Sequence, residues 1–304
     1  MSRTNPSAVA AFDADRVRAA AAQMRRDILT MLAEAGSGHP GGSLSAADVV
    51  ATLYFGGVLH HDPTNPTDPA RDRFILSKGH AAPVLYAALA EDGYFPKEWL
   101  TTLRKLGSHL QGHPDMRKCP GVEVSTGSLG QGLSIAAGLA LGLAQDAVRA
   151  DAEAAVDPLE QPQVFVLLGD GELQEGQVWE GAMFAAHRNL ANLIAIVDNN
   201  NLQIDGHVCD VCNLGNIAAK FAAFGWHVIE VADGNDVSQC YEALMTATAW
   251  QEGPCAVVLH TIKGKGVSFM EDKAGWHGKA PNADELAQAL AEIDAATATP
   301  QEAC

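Results

Sequence analysis

Apolar residues recur along this chain with two different spacings, and the change from one to the other outlines its elements. Val17, Met24, Ile28, Met31 and Leu32 form a stripe of helical period across Val17–Glu34, with Gly36 as a stop. A glycine-rich loop is expected over Gly36–Ser43, then a second helix starting near Ser45 with Asp48 in its first turn. Arg71–Leu76 holds a short apolar run, Ala81–Glu91 reads as a helix, and Leu129–Val148 reads as a helix of small residues. The acidic, proline-punctuated stretch Asp151–Gln163 reads as a solvated connection.

Farther on, the apolar runs become short and continuous. Val164–Leu168 ends in Gly169-Asp170-Gly171, and Leu193–Val197 ends in Asp198-Asn199-Asn200, with a crossover helix expected over Val178–His187 between them. Trp226–Val231 and Ala256–Ile262 supply two more strands. Runs that are apolar on both faces and separated by helices describe an α/β fold, a parallel sheet with helices on both faces. No repeat or shift of composition marks a boundary, so residues 1–304 read as a single domain, with 283–304 as a C-terminal helix and frayed tail.

Composition narrows the function classes. The chain is 47% hydrophobic and 19% charged, which excludes a disordered or low-complexity protein. Its formal charge of -17 argues against nucleic acid, because a binder needs a basic footprint that releases counterions. An anionic substrate must therefore find its cations locally or on another chain. Met1–Asp15 lacks the apolar core of a signal peptide, and Leu129–Ala147 is too short and too rich in small residues for a membrane span, so a cytoplasmic location is expected. Six cysteines are too sparse for a disulfide scaffold at this length. Cys209 and Cys212 form one CxxC, with no second ligand pair evident for zinc, and a thioredoxin-like redox role stays open.

Ligands of open parallel sheets bind at the carboxyl ends of strands. Gly169-Asp170-Gly171 sits at such an end, and Asn199-Asn200 follows the next strand after an interval of 27 residues. One carboxylate and one amide oxygen from neighbouring strand ends suit a hard cation that binds phosphate oxygens. Four histidines, His39, His80, His113 and His277, stand beside glycines, where backbone lets a ring approach a substrate. His80 precedes a predicted helix, a natural place for an anion. In so acidic a chain, the loop Lys263-Gly264-Lys265-Gly266 reads as a phosphate contact rather than a solvated charge.

These residues carry a family resemblance. Ser37-Gly38-His39-Pro40-Gly41-Gly42, Ser77-Lys78-Gly79-His80, Gly112-His113-Pro114, Ser125-Thr126-Gly127-Ser128-Leu129-Gly130-Gln131-Gly132, the GDG–NN pair, Ile204-Asp205-Gly206-His207, the Lys263 loop and Trp276-His277-Gly278 occur in order. Together they resemble the diphosphate-binding domain of the transketolases, which are thiamine-diphosphate enzymes, almost end to end.

The resemblance implies thiamine diphosphate and Mg (or Ca) as cofactors, with Asp170 and Asn200 binding the metal by side chain and Leu202 by its carbonyl. It implies Gly171, His80, Lys263 and His277 at the diphosphate, and Gly127 and Leu129 at the aminopyrimidine through their backbones. His39, His113 and His277 would face the sugar, with His39 and His277 moving protons, and Glu175 and Glu180 match acidic residues that link paired active sites. Ser128 stands where a proline is common, and Gly41-Gly42 replaces other small residues; neither departure disturbs a backbone contact.

Full-length members continue into a pyrimidine-binding and a C-terminal domain, for which no second strand series exists before Cys304. The resemblance therefore implies the N-terminal subunit of a split transketolase. It would act on sugar phosphates in a pair of heterodimers, each completed by a separate C-terminal subunit. Its rivals are a split transketolase for a sulfonated or branched sugar, a 2-oxoacid dehydrogenase α subunit, a deoxyxylulose-phosphate synthase relative and a non-catalytic binding subunit.

Overall fold

Every strand residue from Val164 to Leu168 and from Leu193 to Val197 is buried, because the sheet they build is covered on both faces. The computed structural model describes residues 12–150 and 161–298, except for the side chains of 147–150. The connection expected over Asp151–Gln163 therefore lies mostly outside the described residues, as do residues 1–11 and the expected tail beyond Ala298. Helices α1 (Ala14–Ala35), α2 (Pro40–Ser45) and α3 (Ala47–Phe55) precede strand β1 (Arg73–Leu76) and helices α4 (Ala82–Asp92) and α5 (Gln131–Ala150). Then come β2 (Val164–Gly169), α6 (Gly176–His187), β3 (Leu193–Asn199), the small hairpin β4 (Leu202–Gln203) and β5 (Gly206–His207), and α7 (Val208–Val211). Helix α8 (Ile217–Ala223), β6 (His227–Val231), α9 (Val237–Ala249), β7 (Cys255–His260) and α10 (Ala283–Ala298) complete the order.

Five strands pair in parallel in the order β1-β2-β3-β7-β6. Alternate residues serve opposite cores. Phe165, Leu167, Ile194 and Ile196 pack with α1, α3, α4, α9 and α10, whereas Val164, Val166, Leu168, Ala195 and Val197 pack with α5, α6 and α8. The chain leaving β3 turns toward α8 and the chain leaving β7 toward α10, so neighbouring strand ends diverge to opposite faces. A crevice opens where they part, and in such sheets it is the natural ligand site.

The expected elements are present, with corrections at the edges. The segment expected as a loop over Gly36–Ser43 instead turns into α2 from Pro40: proline preorganises the first helical position, and all six α2 residues are buried. Helix α1 is capped by Asp13, which accepts from Arg16 N at 3.0 Å, and ends at the left-handed Gly36. Helices α8 and α9, unmarked in the pattern, form because Asn216 and Asp236 cap them and tertiary packing buries one side of each. No helix among the described residues is long and apolar enough to cross a membrane.

One packing contact makes stability depend on pH. Asp27 of α1 and Glu91 of α4 face each other, with Asp27 Oδ2 and Glu91 Oε1 both buried, while Gln23 donates to Asp27 Oδ1 and Lys97 to Glu91 Oε2. Burial first, then the Glu91 carboxyl, raises Asp27 from 3.8 to about 7. Between these values the folded chain holds a proton that the unfolded chain has released, so this contribution is full below pH 3.8 and is lost as pH rises through about 7. Asp27→Asn, whose amide supplies the donor at every pH, should flatten this fall. Thermal unfolding at about pH 5.5 and 8.5, on either side of that transition, checks it. The wild type should lose more stability between the two than the variant, and equal losses would refute the raised Asp27 carboxyl.

A candidate cofactor site at the strand ends

The carboxyl ends of β1, β2, β3 and β7 deliver Lys78, Asp170, Asp198 to Leu202, and Lys263 to the crevice, where a cavity of about 310 Å3 opens. At its base is a buried polar knot. Asp198 is fully buried and its carboxylate accepts from the Lys78 ammonium, from Ser45 Oγ at 2.6 Å, from Asn200 Nδ2 at 3.1 Å and from Thr261 Oγ1. Burial works to raise the pKa of Asp198, but the Lys78 charge and these donors together hold it below the ordinary carboxylate range. Lys78 also donates to Gly42 O at 2.8 Å, so one ion pair gathers α2 and the ends of β1, β3 and β7.

Above the knot, oxygens collect on one wall. Asp170 accepts from Gly171 N at 2.7 Å and from Asn201 N, Asn200 Oδ1 accepts from Leu202 N at 3.1 Å, and Leu202 O accepts from Lys263 Nζ at 2.7 Å. Lys263, read from sequence as a loop residue, is only 2% exposed. Burial lowers its ammonium to about 8 against the pull of Asp170, and burial with the Asp198 charge raises Asp170 to about 6. Among the described residues no trio of His, Cys, Asp or Glu could hold a metal. The donors here are one carboxylate, one amide oxygen and one carbonyl, the chemistry of a hard cation with remaining positions for water or phosphate. The Lys263 ammonium on the Leu202 carbonyl occupies a position a cation would take, and that donor set fits one.

Three imidazoles stand in the same cavity, one of them against the Lys263 ammonium. The ring centres of His39, His80 and His277 lie 5.2, 5.4 and 5.1 Å apart, brought together from the start of α2, the turn before α4 and the turn after Trp276. Burial, reinforced by neighbouring cations and imidazoles, drops His39 to about 4, His277 to about 3 and His80 well below its usual value, so all three are neutral at pH 7. Lys263 donates to His277 Nδ1 at 2.9 Å, which leaves the ring proton on Nε2. His39 Nδ1 is buried without a hydrogen-bond partner.

Gly127 and Leu129 form another part of the lining. At Gly127, φ is 135° and a Cβ would lie 2.8 Å from the His113 ring, so only glycine fits there. His113 itself is exposed at the rim behind Gly127 and does not line the cavity. The structure thus brings His39, His80, His277, Asp170, Gly171, Asn200, Leu202, Lys263, Gly127 and Leu129 around one space.

Sequence reasoning missed the supports. Glu172 is buried, accepts from Ser77 Oγ and, at 3.0 Å each, from Gly130 N and Gly169 N, and burial raises its pKa. It ties three of the loops together, whereas Glu175 and Glu180 are exposed on this chain. Their neighbours' motifs concealed Glu172, Lys78 and Asp198; an ionisable residue at the end of an apolar strand was the available signal. Arg104, which perturbs His39 and His113, gave no pattern at all.

An open parallel sheet with oxygen donors, a buried lysine and glycine-borne backbone at its strand ends defines a diphosphate-binding α/β domain. Residues 17–300 match the family described as transketolase, thiamine diphosphate binding domain. The chain belongs to this family. It is 43% identical over 271 residues to the 6-deoxy-6-sulfo-D-fructose transketolase subunit SqwG of Clostridium sp. (strain MSTE9), covering 89% of this chain and 94% of the relative. It is 40% identical over 280 residues to an apulose-4-phosphate transketolase subunit of Actinobacillus succinogenes, covering 92% and 96%. A transketolase structure from Pichia stipitis superposes with a TM-score of 0.85 at 33% identity, covering 96% of this chain and 42% of that one. The chain therefore spans about two fifths of a full-length transketolase and nearly the whole of the separate subunits.

Proposed function

We propose that this chain is the N-terminal, cofactor-binding subunit of a cytoplasmic split transketolase, completed by a separate C-terminal subunit in a pair of heterodimers. The observation that carries the proposal is the cavity at the strand ends, lined by hard oxygen donors together with neutral imidazoles. Asp170, Asn200 and the Leu202 carbonyl would hold Mg (or Ca), with Gly171, His80, Lys263 and His277 at the diphosphate and the Gly127 and Leu129 backbones at the aminopyrimidine. Bound thiamine diphosphate would supply the carbanion and electron sink for breaking a ketose carbon–carbon bond.

This chain's residues would bind, orient and move protons. Lys263 and the start of α4 neutralise diphosphate charge. His39, neutral at pH 7, accepts a proton from a donor hydroxyl and returns one to the acceptor oxygen; His277, its proton held on Nε2, donates to the same oxygens. His113 orients sugar at the rim. His39→Ala should leave cofactor affinity within about threefold and slow turnover roughly 100-fold or more, the usual contribution of a positioned acid–base group. Unchanged turnover would remove His39 from the proton transfers.

The names of the two relatives favour a specialised sugar, sulfonated or branched, over the ordinary pentose and heptose phosphates. The test is a ketol-transfer assay of the chain alone and with its candidate partner, with thiamine diphosphate and magnesium. Donors are xylulose 5-phosphate, 6-deoxy-6-sulfofructose and the branched apulose 4-phosphate, with ribose 5-phosphate and glyceraldehyde 3-phosphate as acceptors. Activity only in the mixture supports the split reading, and the preferred donor decides the sugar. Activity of the chain alone would overturn the need for a partner.

A further inference from the structure

The CxxC motif has no part in the transfer chemistry, yet it is wired to the cavity wall. Three other described cysteines, Cys119, Cys240 and Cys255, are buried, and burial pushes their thiols up, Cys119 and Cys255 to about 12. Cys209 and Cys212 are both exposed, on and just after the single turn of α7. At the start of that turn Val208 N donates to Asn201 O at 3.0 Å, and Asn201 N donates to the Asp170 carboxylate. At its end the Cys212 carbonyl accepts from Gln174 Nε2 at 3.0 Å, and the same amide donates to Gln203 Oε1 at 2.7 Å. Gln174 and Gln203 line the cavity, and Gln203 follows Leu202 in the β4–β5 hairpin.

We propose that Cys209 and Cys212 close a reversible disulfide and that closure loosens the wall formed by residues 200–207. A disulfide requires the two Cβ atoms to stand about 3.8 Å apart. Cys209 is held within the α7 turn, so Cys212 is the end that moves, since its φ of -156° and ψ of 97° have already left the helix. Moving it displaces the carbonyl that holds Gln174 and so releases Gln203. Closure also gives up the 3.7 Å contact from the Cys209 thiol to Asp210 Oδ1.

The oxidant is a low-molecular-weight disulfide. One cysteine thiolate attacks it, releasing one reduced thiol and leaving a mixed disulfide. The second cysteine thiolate then attacks the protein sulfur of that bond and expels the second thiol. Two protein thiols are oxidised, one external disulfide is reduced to two thiols, and the protons balance through solvent. An exposed pair on one turn suits this exchange, because the resolving thiol is held beside the attacking one.

The full-length chain carrying Cys304→Ser, which removes the cysteine outside the described residues, is incubated with oxidised glutathione. The peptide spanning 209–212 should lose two hydrogens without gaining glutathione, and dithiothreitol should restore them. Amide hydrogen exchange over 200–207 should quicken roughly fivefold, the effect of losing a neutral hydrogen bond. Neither change should occur in Cys209→Ser/Cys212→Ser. Stable glutathione adducts without ring closure would overturn the disulfide, and ring closure with unchanged exchange would overturn its link to the wall. Neither readout needs cofactor or turnover, so failure here is distinct from failure of the transketolase reading.

Discussion

Asp170→Ala should weaken metal-dependent binding of thiamine diphosphate by more than about 100-fold, since even partners one step removed from a metal contribute roughly 10–100-fold. It provides the only carboxylate among the three oxygen donors proposed for the cation. Asn200 and the Leu202 carbonyl are neutral, so without Asp170 the cation loses the negative charge that offsets its dehydration. The fold should survive. Burial and Asp198 raise the Asp170 carboxyl to about 6, so its charge is a burden to the folded chain that alanine removes, at the cost of the acceptor for Gly171 N and Asn201 N. Calorimetric titration of thiamine diphosphate in magnesium, with thermal unfolding as control, checks both halves. An unchanged affinity would sink the metal assignment.

Asp198→Ala should instead strike the fold, lowering unfolding free energy by about 3–5 kcal/mol, the range for breaking a buried ion pair from one side. The Lys78 ammonium is 2% exposed and would keep only the Gly42 carbonyl, Ser45 Oγ would be left with that same carbonyl at 3.3 Å, and Asn200 and Thr261 would each lose their acceptor. Because these groups come from α2 and three strand ends, the lesion should also disorder the floor of the cofactor site. Urea denaturation at pH 7 gives the stability, and a loss below about 1 kcal/mol would show that the pair does not hold these loops together. Lys78→Met with Asp198→Leu should recover part of the loss, since apolar replacements of similar volume leave no uncompensated charge.

The two variants separate what was readable in the chain from what was not. Strands β2 and β3 were legible because a strand covered on both faces must be apolar at every position, and each of the runs Val164–Leu168 and Leu193–Val197 was. Helix α2 was not, since glycines signal a loop locally and only burial among neighbouring elements makes this stretch helical. Asp170, Asn200 and the four histidines stood out through glycine neighbours and motif order. Asp198 and Glu172 lay inside the same motifs, but their importance comes from partners 42 to 153 positions away, which no local pattern encodes.

By itself, then, the sequence determined the α/β class, the strand runs, the family and the residues proposed to bear chemistry, because periodicity, glycine placement and motif order are local properties of the chain. The tertiary structure alone decided which of those residues meet. It buried Lys263 beside the Leu202 carbonyl, set His39, His80 and His277 within 5.4 Å of one another, left His113 at the rim and placed a CxxC turn against the cavity wall. Those outcomes follow from the parallel sheet, whose diverging connections bring strand ends distant in sequence to one edge, where burial resets the charges they carry.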